Sequence, residues 1–68
     1  MKAIRTATIQ ESASTEPIAL ELRHDHDAYR WYERATGADT EVSGPTVAAA
    51  IQAAHNSWMD WSIRISVA

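Results

Sequence analysis

Apolar and polar residues alternate along several stretches of this chain, and in one stretch they recur at helical spacing. Ile18, Leu20 and Leu22 fall on one side of an extended segment with Ala19, Glu21 and Arg23 on the other, the period of a strand with one face in a core. From Ala28 to Arg34, Tyr29 and Trp31 alternate with Arg30, Tyr32 and Arg34. The short gap between the two segments predicts an antiparallel hairpin, with His24-Asp25-His26-Asp27 as its turn. Trp61, Ile63, Ile65 and Val67 alternate with Ser62, Arg64 and Ser66 in a further half-buried strand. Residues 3 to 9 are rich in β-branched side chains and form a first strand of ambiguous register. Ile4, Thr6 and Thr8 share one face and Ala3, Arg5, Ala7 and Ile9 the other, so either a bulge intervenes or one isoleucine is exposed.

Val47, Ile51, Ala54 and Trp58, with Ala50 beside them, form a helical stripe suited to packing on a sheet. Pro45 suits the first helical position, Gly44 or Ser43 the cap, and the helix should end near Asn56 or Ser57. Residues 10–17 are polar and close on a proline, which predicts a mobile connection. Residues 35–44 form a second loop, in which Thr40-Glu41-Val42 offers a short extra strand. The expected fold is a single α+β domain over residues 1–68. It is a small two-layer sandwich with a mainly antiparallel sheet of about four strands, ordered strand, strand, strand, helix, strand, and the helix on one face.

Charge changes this picture. The stretch from Val42 to Met59 contains no Asp, Glu, Lys or Arg, although it holds the only clear helix. A surface helix normally turns charge outward; this one offers Ala48, Ala49, Gln52, Ala53 and Asn56, a neutral surface that reads as a contact. The chain has 68 residues and no cysteine, so it lacks a disulfide or thiolate staple. A domain of this size gains burial most readily by oligomerising. A homodimer is the default and an unidentified protein partner the variant. The N-terminus shows no signal-type apolar run, and no stretch has the roughly 18 apolar residues of a spanning helix, which predicts a cytoplasmic protein without membrane insertion. A net charge of −3 disfavours a general nucleic-acid binder.

Candidate chemistry is sparse. Arg23, Arg30, Arg34 and Arg64 fall opposite the apolar residues of their strands, and with Tyr32 they outline an anion-binding sheet face. Arg5 lies in the less certain first strand. Cross-strand pairing of such arginines with acids such as Glu21 is the simpler reading. His24 to Asp27 hold nitrogen and oxygen donors for a divalent metal, yet the same residues suit an exposed turn, the reading preferred here. His55 borders the apolar stripe but has no nucleophile to activate, and no G-x-S-x-G, P-loop or H-E-x-x-H pattern occurs. The expectation is therefore no catalytic residue, no cofactor and no metal. Trp31, Trp58 and Trp61, with Tyr29 and Met59, should fill the core, and Trp31 and Ile63 should be core residues beneath the helix.

The element order and the run Val42-Ser-Gly-Pro-Thr-Val, followed by Ala-Ala-Ala-Ile-Gln-Ala-Ala, loosely resemble small antitoxin domains of the HicB type, in which a strand hairpin precedes a Gly/Thr-led helix. The likeness spans about half the chain and concerns fold alone. The passage Trp58-Met59-Asp60-Trp61 departs from the pattern, and no DNA-binding helix pair or ribbon is attached, so neither toxin neutralisation nor operator binding is carried over. The functional expectation is a non-enzymatic, self-associating interaction module. The alternatives are an antitoxin-like anion or nucleic-acid binder using the arginine face, and a minor metal role for the histidine turn.

Overall fold

The computed structural model describes residues 4–67. The elements are β1 (Arg5–Gln10), β2 (Ile18–Asp25), β3 (Ala28–Glu33), β4 (Asp39–Gly44), α1 (Val47–Ser57) and β5 (Ser62–Val67). All five strands pair antiparallel in one sheet, ordered β4-β3-β2-β1-β5. Strands β1 to β4 form a meander. The chain then returns through α1, which packs on β4 and β3, and β5 joins the free side of β1. The fold is thus a small α+β domain with one helix on one sheet face. No helix among the described residues is long and apolar enough to cross a membrane.

Register settles the ambiguous first strand. Ala7 pairs with Leu20, and Ile9 pairs with Ile18 on one side and Ile63 on the other, so Ala7 and Ile9 face the core while Thr8 is exposed. Ile4 precedes the strand and donates its N–H to the Leu22 carbonyl, whereas Ala3 lies outside the described residues. Gln10 belongs to β1 rather than to the following loop. In that loop the Gln10 side-chain amide donates to the Thr15 carbonyl at 2.7 Å and the Thr15 N–H donates to the Ser12 carbonyl, so local bonds close the connection.

Two expectations need correction at the helix-proximal edge. The sheet has five strands rather than about four, because the short extra strand offered at Thr40-Glu41-Val42 is present and longer, as β4. Alternation fails there for a physical reason. Arg30 pairs with Ser43 but Tyr32 pairs with Asp39, so β4 carries extra residues in between, and Glu41 takes a positive φ of 64°. The helix also starts later than Pro45, and neither Gly44 nor Ser43 caps it. Thr46 does, accepting the Ala49 N–H at 3.0 Å. Gly44 has another role, since a Cβ built on it would lie 2.6 Å from the Ala50 nitrogen and 2.7 Å from the Ala49 carbonyl carbon. No side chain fits between β4 and the helix.

Trp31 is the largest fully buried side chain, packed with Leu20, Leu22, Ala50 and Ala54. Its indole N–H donates to the Ala50 carbonyl at 2.9 Å, which satisfies the one polar atom it buries. Met59 does not join this core; it is 77% exposed. Ile63 is only half-buried, and geometry explains why. A sheet of five strands is about 19 Å wide at 4.8 Å per gap, and one helix about 10 Å across roofs roughly half of it. Its backbone lies nearest β4 and β3, and the cover extends over Leu20 and Leu22 of β2 and Ala7 and Ile9 of β1 before it thins at β5. Trp58, Trp61, Ile63 and Ile65 pack against the core margin instead.

Chemical unfolding followed by circular dichroism should rank three substitutions. Trp31→Ala should cost about 3–5 kcal/mol as a large core deletion, and Ile63→Ala only about 1–2 kcal/mol because part of its surface is already wet. Gly44→Ala should cost about 1–3 kcal/mol through overpacking against helix backbone. An Ile63→Ala cost equal to that of Trp31→Ala would show that β5 is roofed as fully as β3.

Candidate functional site

Strand alternation places Glu21, Arg23, Asp25, Arg30 and Tyr32 on the face without the helix, and cross-strand register brings them together. Arg23 stands opposite Arg30, and Glu21 opposite Tyr32. Two guanidinium groups facing each other would repel. Each therefore has an acid. Arg23 is ion-paired with Glu21 two residues earlier on the same strand, with its Nε donating to Oε1 at 2.9 Å. Arg30 donates to Asp39 Oδ2 at 3.2 Å and lies 3.7 Å from Asp25 Oδ2. The Arg23 guanidinium also sits 4.8 Å above the Tyr32 ring, a cation–π contact.

Tyr32 closes the cluster by donating its hydroxyl to Asp25 Oδ2 at 2.9 Å. This bond holds the phenol protonated, so its pKa is raised above the usual 10.0; desolvation and the negative charges of Asp25 and Asp39 push the same way, and Arg30 opposes them. The cluster is close to charge balance, with Glu21, Asp25 and Asp39 against Arg23 and Arg30. Arg30 is paired across strands with Asp25 and Asp39, whereas Glu21 pairs with Arg23 on its own strand.

The remaining members of the outlined anion face are placed elsewhere. Arg34 lies just past β3, exposed, with its backbone N–H bonded to the Ala19 carbonyl. Arg64 pairs in register with Thr8, which pairs with Ala19, so about three strand spacings, or 14 Å, separate the Arg64 and Arg34 backbones. Arg64 borders a shallow depression of about 310 Å³ lined by Thr8, Gln10, Pro17, Ser62 and Ile63. A second, of about 220 Å³, lies among Arg23, His24, Asp25 and Tyr32. Arg5 turns to the core side and donates to the neighbouring Ile4 carbonyl. The arginines thus form one neutralised cluster and separate outliers.

His24 to Asp27 do not form a single turn. His24 and Asp25 end β2, and only His26 and Asp27 make the reversal, with His26 at a φ of 57°. Alternation then sends His24 and Asp25 to opposite faces. His24 stacks on Tyr29 with ring centroids 4.7 Å apart, while Asp25 joins the arginine cluster. Among the described residues no group of three or more His, Cys, Asp or Glu gathers as a metal shell.

The neutral helix surface is also divided. Ala48, Gln52 and Asn56 are exposed, with the Gln52 amide donating to Asn56 Oδ1 at 3.1 Å. Ala49 and Ala53 are half-buried, and Ala49 lies over Gly44. Part of the alanine content therefore serves the helix–β4 approach. His55 is exposed on the same helix. Two features escape reading from the residue pattern alone. Asp25 and Asp39 act as anchors of the open-face cluster although they sit in segments that read as turn and loop. Met59 and Val67, each 77% exposed, are large apolar groups left in solvent.

Compared with known protein families, with curated proteins and with solved structures, the chain matches none. The likeness to HicB-type antitoxin domains accordingly gains no support from a family match.

The Tyr32–Asp25 bond has a pH signature. Because the folded phenol has a raised pKa, its stabilising contribution is fully present below the unfolded value near 10 and is lost as pH rises through the folded value. In a Tyr29→Phe background, which leaves one tyrosine, absorbance at 295 nm should titrate above pH 10. Asp25→Asn should move the midpoint down. An unchanged midpoint would show that Asp25 does not govern Tyr32.

Proposed function

We propose that this chain is a non-enzymatic interaction module that associates with a second copy of itself. One observation carries the reading: the apolar face of the sheet is larger than the single helix covers. Ile63 and Ile65 are half-buried and Val67 is exposed along β5, with Met59 exposed just before it. In a chain of 68 residues without cysteine, that surface is a large share of the apolar area available. Burying it between copies returns stability that one helix and one sheet supply poorly. The charge-free helix surface at Ala48, Gln52 and Asn56 adds no repulsion to such an approach. The open-face cluster offers little competing function, since Arg23 and Arg30 are already held by acids.

Sedimentation equilibrium of the full chain over low to high micromolar concentration tests this. A concentration-dependent mass reaching twice that of the 7.5 kDa chain is expected. A single monomeric mass at high micromolar concentration would refute self-association and turn attention to the arginine face.

A further inference from the structure

We draw no further inference here: the strongest candidate, the apolar margin of the sheet along β5, where Val67 and the preceding Met59 are exposed beside a regular free edge, carries nothing because no feature of the structure shows what covers it.

Discussion

The bond from the Trp31 indole to the Ala50 carbonyl, 2.9 Å long, fixes the height of the helix above the sheet, and the remaining packing follows from that height. A helix so close to its sheet tolerates only small residues at the contact. Ala50 and Ala54 are fully buried there, and Gly44 meets the Ala49–Ala50 backbone with no room for a Cβ. A larger residue at any of these places would lift the helix and leave Trp31 beneath a gap, losing dispersion contacts and its hydrogen bond together. The alanine-rich helix is in this respect the counterpart of one large indole. The Thr46 cap matters for the same reason, because it sets where the helix begins relative to Gly44.

Much of this was legible in the residue pattern. Alternation located β2, β3 and β5 and assigned their inner faces, since a period of two is unambiguous when one face is apolar. Helical spacing found α1 and its end. The fourth strand showed only as a short segment at Thr40-Glu41-Val42 because its pairing is irregular: Val42 is its only large apolar residue, and the extra residues around Glu41 break the alternation. The helix start was misplaced because Gly44 resembles a capping residue locally, while its use is a long-range contact that no local pattern records. Ile63 and Met59 were read as core because hydrophobicity says what prefers burial but not how far one helix reaches.

The open face shows the same division between local and long-range information. That Arg23, Arg30 and Tyr32 share a side follows from counting along each strand. That Asp25 and Asp39 hold Arg30, and Asp25 the Tyr32 hydroxyl, does not, because those acids fall at strand ends and reach their partners only through the β2–β3–β4 register. A sequence can therefore show which arginines share a face without recording which acids the fold brings to them. Ion pairs within β2 and across β2, β3 and β4 tie this face together, with Tyr32 linking Asp25 by a hydrogen bond and Arg23 by a cation–π contact.

The shifted ladder of β4 has a consequence in the language of polymers. A sheet with two equivalent edges is a bifunctional monomer, able to add a neighbour on either side and so to lengthen indefinitely into fibrils. The extra residues around Glu41 break the ladder at one edge, whereas β5 keeps an unbroken register with β1 at the other. A unit with a single reactive end cannot propagate. A small irregularity at one rim is thus enough to make the two edges of this sheet unequal.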